Sequence, residues 1–521
     1  MNWPKGSGNT KAGAGRGTCT GAMKLAVIAA PSIAPAVSSI AAKWQAEHAS
    51  VDGVCLQVNV AALASREAEQ TLPGLGTGVV WIPDSSVWSS RLVTDSPDIA
   101  RYVSVGKSVA SSPLVVAAAP SRLAAVNAAA KKGWNGVLTA TVPVAVPSPT
   151  DTTEGALTLL SLRGQLGTSA AAADTMGETF LQLGARVVPN SAAGFSAAKD
   201  FPTTAPAFVA SEQEVINANA GASAPVATAV YPSGSGAALD FPFVSVTRSR
   251  TTIYGHALTA LQARLAQPAA AQALNAVNLR DSAAHPIQKG ADTAASGNTA
   301  VTLIPQPSPA SLTGVLRSWV AAGADNQFLA VIDVSGSMKD DSGSGQSKID
   351  IASQAATAAI TLMPDVWSAG LWIFSRKPAP GTDWTQLVPL GPLQSNRTAL
   401  LTGARSMPGR AGGDTALYAT ALNAFKTVSA QYKANKVNSV ILMTDGANVD
   451  PDDLNLPALI TALKARFDPK RPVNINTIAL GADADVSALQ QISAATAGRT
   501  YVVRKPQDIR SVFVRVALHS S

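Results

Sequence analysis

Charge and aromatic side chains are both scarce in this chain. Asp, Glu, Lys and Arg make up 14% of its 521 residues and Phe, Trp and Tyr only 5%, against 46% hydrophobic residues. That balance excludes long disordered stretches and leaves ample apolar material for a core. Two cysteines exclude a disulfide-rich scaffold and a multi-cysteine zinc site. The four histidines (His48, His256, His285 and His519) are scattered and form no HExxH, which argues against zinc-hydrolase chemistry. No GxSxG elbow occurs, and neither cysteine has a histidine companion in a motif. No apolar run is long enough to cross a bilayer, and the start, MNWPKGSGNTKAGAGRGTCTG, lacks an apolar core of signal-peptide length. Membrane anchoring is therefore expected only through a segment missing from this sequence.

What charge there is leans basic, at +7 net. The densest cluster, Lys464, Arg466, Lys470 and Arg471, has no interleaved aromatics and reads as a solvated helix end, so no nucleic-acid partner is expected. Gly106-Lys107-Ser108 mimics the end of a phosphate-binding loop, but Arg101 stands where its first glycine belongs. Trp81, Trp88 and Trp134 read as core filling.

At about 150 residues per domain the length suits two large domains or three smaller ones. Apolar runs at 25–30, 54–60, 78–83, 113–119, 137–144, 206–211 and 227–232 alternate with helical patterns, such as Ile33, Val37, Ile40 and Trp44. Residues 286–324 read as a linker or connecting segment. A second alternation follows, with strands at 328–335, 370–375, 437–443, 474–481 and 499–503. Helices are expected at about 348–363, 416–433, 456–467 and 486–497, with a last one from Gln507. Such a pattern predicts a doubly wound parallel sheet.

The second alternation carries the chemistry. Its first strand ends in Asp333-Val334-Ser335-Gly336-Ser337, setting a carboxylate and two hydroxyls at alternate positions where an open α/β sheet binds ligands. Chance alone gives on the order of 0.1 such DxSxS runs in a chain this long. Gly412-Gly413-Asp414-Thr415 offers a further hydroxyl, and Thr444-Asp445-Gly446, after a strongly apolar strand, a second carboxylate. Hard oxygens of this kind suit Mg²⁺ or Mn²⁺. The plainer reading of each piece is a helix cap or turn.

The order DxSxS, GGxT, TDG resembles the von Willebrand factor type A domain, over about 325–521. The resemblance implies a metal-ion-dependent adhesion site at Asp333, Ser335, Ser337, Thr415 and Asp445. It also implies a protein-binding device and no enzyme, with a bound Mg²⁺ completed by a protein partner's acidic side chain and, in some members, a shift of the last helix. The loop KDDSGSGQS (339–347) lies beside that site and either shapes the partner surface or is a mobile polar loop.

Residues 22–285 resemble, through softer signals, bacterial extracellular solute-binding proteins that hold small anions or sugars between two lobes. Those signals are the strand–Pro-Ser–helix at 25–48, VVWIPDSSVW, SSPLVVA and VYPSGSGAALDFPFV. The resemblance implies ligand-binding roles for Ser32, Ser85, Ser112 and Thr152 at strand-end loops or helix starts, against ordinary capping; Asp151 with Glu154 already reads as a capping box. The expected fold class is α/β: a bilobal periplasmic-binding-protein-like domain followed by a doubly wound von Willebrand A domain. Cys19 and Cys55 flank the first strand–helix unit and are expected to pair in an exported protein; the alternative is two buried thiols. Three functions remain open. One is an envelope or secreted protein gripping an acidic partner through Mg²⁺, another a small-solute receptor docked by its second domain. The third is an intracellular partner of a chelatase-type ATPase.

Overall fold

A computed structural model describes residues 19–74, 78–234, 236–248, 251–287, 299–303, 308–379, 382–452, 454–481 and 483–504, with 509, 512, 515 and 516. They form two compact units. The first holds residues up to 161 and 188–312, the second 162–187 and 313–521.

In the first unit, β1 (Thr20–Ala29) lies parallel to β2 (Val54–Ala62) and β3 (Val79–Ile82). Beyond β4 (Val103–Ser108) and β5 (Ala110–Ala118) come β6 (Val144–Pro147), β7 (Ala207–Ser211), β8 (Thr228–Val230) and β9 (Pro242–Val246). Strand β9 runs antiparallel between β3 and β4 and completes the first sheet. Strand β5 pairs antiparallel with both β7 and β8 in a second sheet, where β6 and β7 are parallel. Each sheet has its own core: Trp81, Trp88 and Leu92 fill the first, Val115, Phe208 and Val215 the second. Cys19 and Cys55 are joined by a disulfide.

The run 137–144, expected as one strand, is instead the end of a helix, Gly133–Leu138, followed by β6 from Val144. Trp134, Val137 and Leu138 are buried at spacings of three and one, so the helical period outweighs the β-branched content. Strand β6 opens just after Pro143, which has no N–H to give a ladder.

In the second unit β10 (Asn326–Asp333), β11 (Ser368–Ala379), β12 (Thr382–Pro392), β13 (Val437–Thr444), β14 (Val473–Leu480) and β15 (Thr500–Val503) form one sheet in the order β12-β11-β10-β13-β14-β15. All neighbours are parallel except the hairpin β11–β12. Strands β10 and β13 are buried along nearly their whole length, with apolar runs at Phe328–Ile332 and Val440–Met443, as central strands covered on both faces require. The strand order reverses between β10 and β13, so a crevice opens at their C-terminal ends. Asp333 and Thr444 end those two strands.

Two helices outside the second alternation belong wholly or for the most part to this unit. One is Ala170–Gly184, whose Phe180 meets Trp319 edge-to-face at 5.4 Å. The other is Pro309–Gly323, inside the stretch expected as a linker. Asp174 takes a bidentate pair from Arg515, Nε at 2.8 Å and Nη2 at 2.5 Å. Most of the expected last helix and residues 288–298 lie outside the described residues.

Candidate functional site

The strand ends at the switch point gather the oxygens expected there. Asp333 is fully buried; its Oδ1 accepts from the Ser335 amide at 2.7 Å and its Oδ2 from the Thr444 hydroxyl, across the β10–β13 seam, at 2.5 Å. The Ser335 and Ser337 hydroxyls are 3.2 Å apart, and Ser337 donates to Asp445 Oδ1 at 2.8 Å. Thr415 arrives on a loop tied to both neighbours: the Gly336 amide donates to Gly413 O at 2.8 Å and the Val449 amide to Thr415 O at 3.0 Å. Gly413 sits at φ +81°, and a Cβ there would come within 3.1 Å of Arg376 O, so the turn that delivers Thr415 depends on glycine. Asp333, Ser335, Ser337, Thr415 and Asp445 are thus brought to one spot by three loops.

A divalent ion fits this set. A Cβ built on Gly446 would point between Thr415 Oγ1, at 3.5 Å, and Ser337 Oγ, at 4.0 Å. The missing side chain leaves a small oxygen-lined cradle. Among the described residues no three His, Cys, Asp or Glu side chains group as metal ligands, so a site here leans on hydroxyls. Two carboxylates with three hydroxyls are hard donors of the kind Mg²⁺ and Mn²⁺ take. Burial, with Asp445's carboxylate adding to it, raises the Asp333 carboxyl to about 6 despite hydrogen bonds from Thr444 and Ser335. The site therefore stores a charge that a cation relieves.

Sequence reading missed three residues around the cradle. Thr444 stood in the TDG motif but was given no role. Arg376, at the end of β11, faces Asp414, Asp450 and Asp452. Lys348 opens the helix Lys348–Leu362 and reaches Asp445 Oδ2 at 2.8 Å. A signal for Lys348 was available, since a cation in a helix's first turn opposes the helix dipole and needs a specific partner. The 339–347 loop is folded by its own bonds: Asp341 Oδ1 accepts from the amides of Gly343 and Gly345, and Ser342 N donates to Gln346 O.

The first unit treats its expected ligand residues differently. Ser85 caps the helix Ser86–Asp95 by accepting from Val87 N. Thr152 accepts from Gly155 N and donates to Ser148 O. It, and not Asp151, caps the helix from Thr153; Asp151 bonds Ser148 and Arg66 instead. Ser112 is no strand-end residue: it lies inside β5, fully buried, and accepts from Gln213 N at 3.0 Å. Gln213 Nε2 donates to the carbonyls of Ser32, at 2.9 Å, and Val277, at 2.6 Å, so this side chain ties those two segments together. Carboxylates share the same loops. Thr153 donates to Asp84 Oδ1, and Asp240 Oδ1 accepts from Ser86 N. Burial, then the nearby carboxylates of Glu214 and Asp84, hold Glu154 well above the usual range.

Comparisons with known proteins agree with the geometry. Residues 329–515 match the family model of the von Willebrand factor type A domain, and residues 25–277 that of bacterial extracellular solute-binding proteins. The chain thus carries a von Willebrand factor type A domain at 329–515 and a solute-binding-protein domain at 25–277. An uncharacterized protein of Mycobacterium tuberculosis is 26% identical over 91% of this chain and 73% of its own length. Among solved structures, a von Willebrand factor type A protein from Catenulispora acidiphila is 22% identical, covering 38% of this chain and 43% of that one (TM-score 0.29). This chain thus spans under half of that protein. The substrate-binding domain of a putative molybdenum ABC transporter from Clostridium difficile is 13% identical, covering 50% of this chain and 98% of that one (TM-score 0.33). A mussel byssus matrix protein whose adhesion motif holds zinc is 17% identical over 38% of this chain and 48% of its own (TM-score 0.29).

Proposed function

We propose that this is a non-enzymatic, extracytoplasmic protein of the bacterial envelope or its surroundings, whose von Willebrand A domain grips an acidic protein partner through a divalent ion. Asp333, Ser335, Ser337, Thr415 and Asp445 would hold Mg²⁺ or Mn²⁺ directly or through water, leaving a coordination position for the partner's carboxylate. The observation that carries this reading is the cradle left by Gly446 between Thr415 and Ser337, with two buried carboxylates behind it. The Cys19–Cys55 disulfide supports an oxidising compartment and disfavours the intracellular ATPase-partner reading.

The family match over 25–277 supports a second reading, a small-solute receptor docked by its second domain. The internal bonds of Ser85, Ser112 and Thr152, and the bridge made by Gln213, favour a scaffold role for that domain instead. A pull-down from envelope extract tests the choice, run with the wild type in Mg²⁺, in EDTA, and with Asp333→Ala. A protein retained only by the wild type in Mg²⁺ is the expected result. Equal retention in all three lanes would refute metal-dependent grip, and stabilisation of the first unit by an added small anion or sugar would favour the receptor.

A further inference from the structure

Lys348 is an odd residue for its place. It occupies the first turn of a helix already capped by Ser347, where the helix dipole disfavours a cation. Its side chain is only 10% exposed, and burying a charge requires a close opposite charge. The nearer of two carboxylates is the fully buried Asp445, 2.8 Å from Nζ at Oδ2; Asp483, at 3.8 Å, is 84% exposed and contributes little. Asp445's other oxygen, Oδ1, takes the Ser337 hydroxyl. The lysine thus approaches Asp445 at the oxygen that Ser337 leaves open. Arg376, a further cation near the end of β11, faces Asp414, Asp450 and Asp452 instead.

The formal charges then sum simply. Counted formally, Asp333 and Asp445 bring two negative charges, the hydroxyls none and Lys348 one positive charge. A divalent ion in the cradle leaves the site at +1; without the lysine it would be neutral. We infer that Lys348 sets the charge of the loaded site, weakening its hold on the ion and strengthening its hold on an outside carboxylate. This rests on the adhesion-site reading above. It makes Lys348 a specificity-determining residue that acts through Asp445, because in a partly dry site a unit charge a few ångströms away shifts ionic affinities by tenfold or more.

The test measures two affinities of the full chain at pH 7.5. Mn²⁺ binding is read by the electron paramagnetic resonance of the free ion, and acetate binding to the Mn²⁺-loaded protein by water proton relaxation. Lys348→Met and Lys348→Gln are each expected to bind Mn²⁺ at least about tenfold more tightly and acetate at least about tenfold more weakly. Lys348→Arg should stay within about threefold of the wild type on both, since it keeps the charge. Glutamine separates charge from hydrogen bonding, because its amide keeps a neutral donor on this side chain. If Lys348→Gln behaves as wild type, or if removing the charge weakens or leaves unchanged the Mn²⁺ affinity, the inference is overturned. A wild type that binds no Mn²⁺, or binds it as well as Asp333→Ala does, overturns the adhesion-site reading itself.

Discussion

Asp240 offers a sharp test of how burial and hydrogen bonding compete in the first unit. Its carboxylate is 3% exposed and accepts from the Ser86 amide at 2.7 Å and, more weakly, from the Ser108 hydroxyl at 3.4 Å. Burial outweighs these bonds and raises its carboxyl from 3.8 to about 6. Below pH about 3.8 the group is neutral folded and unfolded, so it costs nothing. As pH rises, the unfolded chain ionises first, and above about 6 both states are ionised with the full cost in place. That cost is about 3 kcal/mol, from 1.36 kcal/mol per pH unit over the gap. An asparagine at this position would keep an acceptor for Ser86 and offer a donor to Ser108, without the charge. Asp240→Asn should therefore be more stable than the wild type by up to about 3 kcal/mol at pH 7.5, with the advantage gone near pH 4. Urea unfolding with pulsed amide exchange, read on peptides of the first unit, measures the difference at each pH. An advantage that stays flat between pH 4 and 7.5 would refute the reasoning.

Other predictions concern single contacts. Arg280 and Glu212 are both fully buried and doubly bonded, at 2.7 and 2.6 Å, with Arg280 also donating to the Ala284 carbonyl. Glu212→Gln strands the guanidinium charge and should cost the first unit about 3–5 kcal/mol in urea unfolding; a loss below about 1 kcal/mol would show the pair to be dispensable. The disulfide closes a loop of 36 residues, so replacing Cys19 and Cys55 with serine should cost about 4 kcal/mol by chain entropy. An unchanged unfolding midpoint would contradict this. Gly413→Ala forces a side chain into a left-handed turn, at about 1–2 kcal/mol, and crowds Arg376 O. Circular dichroism should stay native while Mn²⁺ affinity drops several-fold; unchanged affinity would mean that the turn does not position Thr415.

Much of the second unit was legible before folding, because its information is local. Apolar strands ending in DVSGS and MTDG state both where a strand stops and what oxygen it leaves at the sheet edge. The parallel order follows from strand and helix lengths. The antiparallel β12 was not expected: its TDWTQLVPLGP mixes Gly and Pro with apolar residues, and only pairing to β11 selects it. In the first unit the local reading failed at 137–144, where the burial of Trp134, Val137 and Leu138 imposed a helix on residues of high strand propensity.

By itself the sequence determined the α/β class, the positions of most strands and the five residues proposed for the metal site, since strand ends and loop motifs are set by neighbours a few residues away. Only the tertiary structure decided which long-range partners those groups acquire. Lys348 meets Asp445 across 97 positions, and Gln213 reaches Ser32 across 181. The helix Ala170–Gly184 joins the second unit through Phe180–Trp319 and Asp174–Arg515. No local period encodes such pairs. They arise because a buried charge or amide must find a partner wherever the packed chain brings one, and that search is settled by the whole fold at once.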